Sequence, residues 1–157
     1  MVKILFLDID GVLNIVSIDE GRDQYGQIFH KHFVDNLQWI IEQTDAKIVI
    51  SSDWKSSGLV IIKEMWKNRN LPGDIIDVTT YLGDDFSRGH EIQDWIDNHR
   101  DSIESYVIID DTDCVLEHQL PFFVRTSSNV HHEDSIGLGY GLTKQCAKTI
   151  VEILNRK

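Results

Sequence analysis

Two aspartates, Asp8 and Asp10, stand two positions apart directly after an apolar run near the start of the chain. A carboxylate can attack phosphorus to form an acyl phosphate, which splits hydrolysis into two easier displacements. A second carboxylate can protonate the leaving oxygen and later deprotonate the attacking water. With a cation and a phosphate bound nearby, Asp8 could act as nucleophile and Asp10 as general acid and base; the alternative is that each carboxylate only ends a strand or caps a helix. Gly11 follows and would let the backbone turn closely around a phosphate.

Polar side chains also follow two later apolar runs. Ser51 and Ser52 come after the second run, and Asp110 and Asp111 after the third. The serine hydroxyls and nearby backbone N–H groups can donate to phosphoryl oxygens, with a helix N-cap as the alternative role for either serine.

Carboxylates that converge at one sheet edge repel one another unless a hard cation such as Mg²⁺ binds them. We therefore predict a Mg²⁺ site formed by Asp8, the backbone carbonyl of Asp10 and an aspartate of the pair Asp110-Asp111.

Short apolar segments alternate with helical patterns along the whole chain. Segments typical of buried parallel strands lie at Val2–Leu7, Ala46–Ile50, Tyr106–Ile109 and Phe122–Val124, with a further candidate at Ile75–Val78. Helical patterns lie at Phe33–Ile41, Leu59–Trp66, Glu91–His99 and Thr143–Leu154. The alternation predicts an α/β fold, a Rossmann-like three-layer doubly wound parallel sheet, in a single domain over 1–157 without a full cap domain.

Composition narrows the class of protein. The chain has 157 residues, of which 41% are hydrophobic and 26% charged, as in soluble globular domains. A net charge of -11 argues against a broad basic surface for long nucleic acid. Cys114 and Cys146 are far apart and lack CxxC spacing, which favours a reducing compartment. Because aspartates interrupt the apolar start, we expect a cytoplasmic protein with no membrane association.

At this point the chain resembles the haloacid dehalogenase (HAD) superfamily of aspartate-nucleophile phosphatases. The segment Asp8–Val12 matches the first motif of that superfamily, Ile48–Ser51 matches the second, and Ile108–Asp111 matches the acidic fourth. The resemblance implies a Mg²⁺-dependent phosphohydrolase that acts through an aspartyl-phosphate. It also implies Asp111 as the metal ligand, with Asp110 orienting the site from behind.

The third motif of the superfamily is a basic residue, and two residues fit it. Arg88 opens the helix before the last acidic strand, whereas Lys55 follows the second strand directly. We favour Arg88 as the phosphate contact and keep Lys55 as a second contact or the actual motif residue. Either residue is alternatively a solvated surface charge. Trp54, beside the two serines, is a candidate for stacking on a base or for packing in the core.

A closer resemblance is to the small HAD domains associated with RNA-repair proteins. It rests on four segments: Leu7–Asn14, Ser51–Lys55, Arg88–Ile92 and Asp110-Asp111. It implies a phosphorylated substrate, with nucleic-acid 3′- or 5′-phosphate ends or nucleotides as the leading classes. The alternatives are a phosphoprotein phosphatase, a phosphotransferase, or a noncatalytic metal-binding module that acts through a partner. The oligomeric state does not follow from the sequence.

Short insertions predict an open site. The segment from Asn14 to the first helix cannot form a separate cap, so we expect it to supply a small specificity surface from Arg22, Tyr25, Phe29 and Lys31. The pair His131-His132 lacks a matching set of cysteine or histidine ligands for zinc. We expect it to lie in a surface loop.

Overall fold

The computed structural model describes residues 1–15, 17–127 and 140–156. Its centre is a five-stranded parallel sheet in the order β5-β4-β1-β6-β7. The strands are β1 (Val2–Leu7), β4 (Lys47–Ile50), β5 (Ile75–Val78), β6 (Ile103–Asp110) and β7 (Phe123–Arg125). A separate antiparallel hairpin consists of β2 (Arg22–Asp23) and β3 (Gly26–Gln27). The four helices are α1 (Lys31–Thr44), α2 (Leu59–Asn68), α3 (Arg88–His99) and α4 (Lys144–Leu154).

Alternate residues of the central strands face opposite sides of the sheet. Leu5 and Leu7 of β1 pack in the larger core, together with buried residues of α1, α2 and α4. Ile4 and Phe6 pack in the smaller core, together with Ile92 and Trp95 of α3. Helices thus cover both faces of the sheet, which confirms the predicted three-layer α/β fold.

The strand order creates a switch point at the middle of the sheet. The chain passes from β1 to β4 and β5 on one side, then returns to β6 on the other side of β1. In sheets of this kind ligands bind beyond the carboxyl ends of the strands where the order reverses. The residues after β1 and β6 therefore meet where a ligand site is expected.

Element boundaries differ from the sequence prediction in places. The helical pattern at Glu91–His99 extends back to Arg88, the residue expected to open this helix, because the Ser87 N–H donates to His90 Nδ1 over 3.2 Å and closes the first turn. This earlier start places Arg88 at the helix N-terminus, facing the sheet edge. The last strand begins at Phe123 because Phe122 belongs to a short 3₁₀ helix.

The segment from Asn14 to the first helix contains the hairpin of β2 and β3. Arg69, at the end of α2, donates to both Asp23 carboxylate oxygens over 2.9 and 2.7 Å. This ion pair attaches the hairpin to α2.

Among the described helices, none combines the length and the apolar character that a membrane span requires.

A substitution at Gly141 tests how tightly the core packs around the loop after β1. The next residue, Leu142, donates its N–H to the Val12 carbonyl of that loop over 2.9 Å. Gly141 has a φ of +68, and a Cβ there would lie 2.5 Å from the buried Phe33 ring. Gly141→Ala should lower the free energy of unfolding by roughly 2–5 kcal/mol, as measured by urea denaturation, because the clash with Phe33 adds to the strain of a left-handed alanine. A loss below about 2 kcal/mol, which the left-handed backbone alone would cause, would contradict this packing.

Candidate active site

The first strand delivers a buried carboxylate to the switch point. Asp8 is 3% exposed, and its backbone N–H donates to the Ile109 carbonyl of β6 over 3.0 Å. Asp110 ends β6 and is fully buried, and Asp111 follows it. Carboxylate oxygens of Asp8, Asp110 and Asp111 lie within 4.8 Å of one another. The structure therefore brings the predicted acidic residues of two strand ends into one cluster.

Arg88 bridges this acidic cluster. Its Nη1 lies 3.1 Å from Asp8 Oδ1 and 2.5 Å from Asp110 Oδ2. Its Nη2 lies 3.3 Å from Asp53 Oδ1 at the mouth of the site. One guanidinium thus compensates two buried carboxylates and approaches a third, exposed one.

The charge balance of the site remains negative. Burial, reinforced by the neighbouring charge of Asp110, raises the pKa of Asp8 to about 7 despite the opposing effect of Arg88. Burial works against the charge of Arg88, but Asp8 and Asp110 outweigh it and raise the pKa of the guanidinium above its usual value. An additional positive charge would therefore favour the ionised form of Asp8.

The cluster fits a divalent cation. Its donors are all carboxylate oxygens, the ligands that Mg²⁺ and similar hard cations prefer. The backbone at Gly11 also leaves space for the cluster. Gly11 has a φ of +80, and a Cβ at this position would lie 2.3 Å from Asp111 Oδ2. Gly11 thus leaves room for the Asp111 carboxylate in the cluster.

The two aspartates after β6 have different surroundings. Asp110 Oδ1 accepts hydrogen bonds from the Thr112 N–H over 2.9 Å and from Thr112 Oγ1 over 2.7 Å, while Oδ2 faces Arg88. Asp111 is only half-buried. Thr112 was not anticipated, although an aspartate in a turn often accepts from the backbone N–H two residues further on. Both oxygens of Asp110 are thereby held by protein groups.

The adjacent serines, Ser51 and Ser52, differ in the hydrogen bonds of their hydroxyl groups. Ser51 is fully buried, and its Oγ has no hydrogen-bond partner among the described residues. Its N–H donates to the Leu7 carbonyl over 3.1 Å, which places Ser51 level with Asp8 on the neighbouring strand. Ser52 Oγ instead accepts from the Trp54 N–H over 3.3 Å and caps the 3₁₀ helix Asp53–Ser57. A buried hydroxyl without a partner is costly, and Ser51 Oγ can donate to a ligand without giving up a described hydrogen bond.

The two basic candidates have different partners. The Lys55 ammonium forms an ion pair with Glu91 and donates to Thr79 Oγ1 over 3.0 Å, and both charged side chains are buried. Glu91 also accepts from the Leu82 N–H over 3.3 Å. Lys55 therefore joins the segment after β4 to α3, whereas Arg88 contacts Asp8 directly.

Asp10 is exposed, and each of its oxygens accepts a hydrogen bond. Asn14 Nδ2 donates to Oδ1 over 2.9 Å, and Trp54 Nε1 donates to Oδ2 over 3.1 Å. The Trp54 ring also packs edge-on against Phe29, with ring centroids 5.5 Å apart. Sequence reasoning missed the contact between Trp54 and Asp10, because 44 residues separate the two side chains.

The predicted specificity surface is partly wrong. Phe29 is 5% exposed and belongs to the larger core, because its ring packs against Trp54 and Trp66. The Tyr25 hydroxyl donates to Glu64 of α2 over 2.7 Å. Arg22 is exposed, as is Lys31, which pairs with Asp35. The pair His131-His132 lies outside the described residues.

A cleft of about 310 Å³ is lined in part by Arg88. Exposed aromatic rings of Tyr81 and Phe86 also line it. The complete lining is Asp53, Lys55, Tyr81, Gly83, Asp84, Phe86, Arg88, Glu91, Thr112 and Cys114. Burial, reinforced by Asp110, raises the pKa of the Cys114 thiol to about 12, so it stays protonated and is not a nucleophile at neutral pH.

The ion pair of Lys55 and Glu91 leads to a prediction about the free energy of unfolding. Lys55→Met should lower the free energy of unfolding by roughly 3 kcal/mol, because it strands the Glu91 carboxylate in the interior. Lys31→Met, which breaks an exposed pair on α1, should cost less than about 1 kcal/mol. Urea denaturation measures both. Replacing Lys55 by Met together with Glu91 by Leu should recover much of the loss, and an equally unstable double variant would argue against this role.

Comparison with known proteins agrees with the geometry. No curated protein and no solved structure gives a significant match to the chain. A family model described as the HAD domain in Swiss Army Knife RNA repair proteins matches residues 4–135, which include every site residue above. The match supports a HAD-type phosphohydrolase at the level of the superfamily. The chain belongs to this family of HAD domains.

Proposed function

We propose that the protein is a Mg²⁺-dependent phosphomonoesterase in which Asp8 is the nucleophile and Asp10 the general acid and base. One observation carries the proposal. The buried Asp8 carboxylate lies 3.1 Å from Arg88, inside an acidic cluster and level with the Ser51 hydroxyl, which no described residue binds. A nucleophile, a cationic group and a hydroxyl donor thus surround one point, which is the arrangement that a phosphoryl group requires.

The proposed reaction has two displacements. In the first, an Asp8 carboxylate oxygen bonds to phosphorus while the bond to the leaving oxygen breaks, and the proton of Asp10 passes to that oxygen. In the second, the Asp10 carboxylate takes a proton from water, whose oxygen attacks phosphorus. The bond to Asp8 then breaks and inorganic phosphate leaves. Both residues return to their initial protonation states.

Arg88 and Ser51 would bind the phosphoryl oxygens. A guanidinium has five N–H donors in a planar fork, so Arg88 can hold Asp8 and Asp110 and still donate to a phosphate. Ser51 Oγ has no competing partner among the described residues and can donate without breaking a bond. Gly11 would leave its backbone close to the phosphate. Ser52 and Lys55 fit this role less well, because they already serve as a helix cap and as the partner of Glu91.

Asp8, Asp111 and the Asp10 carbonyl would hold the cation, and Asp110 would be a further ligand or would orient the cluster through Thr112 and Arg88. A bound Mg²⁺ neutralises charge between an anionic nucleophile and an anionic phosphate.

Phosphorylated nucleic-acid ends are the substrate class that we place first. The family description names RNA repair proteins. The described residues between Asn14 and α1 form only a small hairpin, so a large substrate can reach the site. The net charge of -11 and the acidic residues beside Arg88 favour contact with a terminal phosphate over a long backbone footprint. Free nucleotides come second.

The proposal predicts phosphatase activity that depends on Mg²⁺ and on Asp8. Wild-type protein should hydrolyse phosphorylated oligonucleotides, lose activity with a chelator and regain it with Mg²⁺. Asp8→Asn should lower kcat/KM by at least about a thousandfold, since the nucleophile is removed. Asp35→Asn, an exposed control on α1, should have no effect. Metal-dependent activity that survives in Asp8→Asn would refute the mechanism. Preference for phosphopeptides or sugar phosphates, or hydrolysis of aryl phosphate alone, would refute the substrate class.

The adjacent serines offer a matched pair of variants. Ser51→Ala should weaken inhibition by inorganic phosphate about tenfold, because a donor to the phosphate is lost. It should not destabilise the free protein, since the hydroxyl has no hydrogen-bond partner in the part of the chain that the structure describes. Ser52→Ala should do the opposite, costing about 1 kcal/mol of stability as a lost cap while phosphate inhibition is unchanged. Steady-state inhibition and urea denaturation measure the two effects, and reversed effects would exchange the two roles.

A further inference from the structure

We propose that Trp54 is a positioning residue for Asp10, and that the hairpin of β2 and β3 acts on the chemistry through this indole. The proposal rests on the function proposed above. It goes further by assigning a role to a side chain and a small structural element that lie outside the acidic cluster.

The hydrogen bonds to Asp10 fix the plane of an otherwise exposed carboxylate. Asn14 and Trp54 donate to different oxygens, over 2.9 and 3.1 Å. An ionised carboxylate has about four acceptor sites, so two donors leave one site on each oxygen for proton transfer. Without the indole, Oδ2 would lose its partner and the carboxylate could rotate. Proton transfer needs hydrogen-bond reach to the leaving oxygen, so rotation would slow the step that Asp10 assists.

Trp54 is itself held in place by contacts of its backbone and of its ring. Its backbone N–H donates to Ser52 Oγ, and this cap sets the start of the 3₁₀ helix Asp53–Ser57. Its ring packs edge-on against Phe29. The ring also lies so close to Gly26 of β3 that a Cβ there would be 3.3 Å from Trp54 Cη2. The indole therefore contacts both the core and the hairpin.

Arg69 locks the hairpin in the position that supports Trp54. Besides the two bonds to Asp23, it donates to the carbonyls of Gly26 and Gln27 over 3.2 and 3.0 Å. Its guanidinium also lies 4.7 Å from the centroid of Phe29, within the range of a cation–π interaction. A continuous series of contacts thus leads from α2 through the hairpin and Trp54 to Asp10.

The experiment compares two esters that differ in their need for a general acid. An aryl phosphate such as 4-nitrophenyl phosphate has a stable leaving group, whereas an alkyl phosphate must be protonated as it leaves. Trp54→Phe keeps an aromatic ring against Phe29 but removes the N–H. We expect it to lower kcat/KM for the alkyl ester about tenfold while leaving the aryl ester nearly unchanged. Inhibition by inorganic phosphate should not change, because Ser51 and Arg88 are untouched.

Trp95→Phe is the matched control. Trp95 Nε1 donates to the Asp77 carboxylate over 2.7 Å and packs in the smaller core, so this variant also loses an indole–carboxylate hydrogen bond but away from the site. It should leave both esters unaffected. Repeating Trp54→Phe in an Asp10→Asn background should produce no further loss on the alkyl ester, since the group that Trp54 positions is already gone.

The outcomes separate the two proposals. Equal losses on both esters, or a further tenfold loss in the Asp10→Asn background, would overturn the role of Trp54 while leaving the phosphatase intact. A wild-type protein that hydrolyses neither ester with Mg²⁺ would overturn the proposed function, and the role of Trp54 would fall with it.

A measurement that needs no activity checks the contact itself. The chain has four tryptophans, so its ¹H–¹⁵N spectrum should contain four indole signals, and the signal missing in Trp54→Phe belongs to Trp54. Asp10→Asn should shift that signal and leave the Trp95 signal in place. An unmoved Trp54 signal would contradict the hydrogen bond.

Discussion

The structure depends on one interaction, the contact of the Arg88 guanidinium with two buried carboxylates. Asp8 and Asp110 end neighbouring parallel strands and would repel each other at the bottom of the site. Arg88 reaches both from the first turn of α3 and so joins the helix to the edge of the sheet. Because Asp111 adds a third carboxylate, one arginine does not neutralise the cluster. The remaining negative charge and the all-oxygen donor set are what a divalent cation fits.

A second charge pair on α3 frees Arg88 for this role. Glu91 lies one turn further along the helix and binds Lys55, which follows β4. If Arg88 paired with Glu91 instead, the buried Asp8 and Asp110 would lose their cation and Lys55 would need another partner. The Arg88 guanidinium therefore compensates the acidic cluster, and the Lys55 ammonium compensates Glu91 in the scaffold around it.

The sequence was sufficient to predict the parallel sheet and the meeting of the acidic residues at one edge, because strand ends in a parallel sheet meet at one edge whatever the details of packing. The switch point follows from the strand order, which the structure supplies. The sequence was not sufficient to decide between Arg88 and Lys55, or between Ser51 and Ser52, as candidate phosphate contacts. Those roles depend on which side chain finds a partner in three dimensions. The contact of Trp54 with Asp10 was hidden for the same reason, and the exposed position expected for Phe29 was wrong because the hairpin folds its ring into the core.

Covalent chemistry at Asp8 is the central claim, and trapping the phosphorylated side chain tests it most directly. Wild-type protein is mixed with Mg²⁺ and 4-nitrophenyl phosphate, quenched during turnover, reduced with borohydride and mapped by peptide mass spectrometry. An acyl phosphate is reduced to an alcohol, so we predict that Asp8 is the residue converted. Conversion at Asp10, Asp110 or Asp111, or no conversion in a protein that is turning over, would contradict the proposed mechanism.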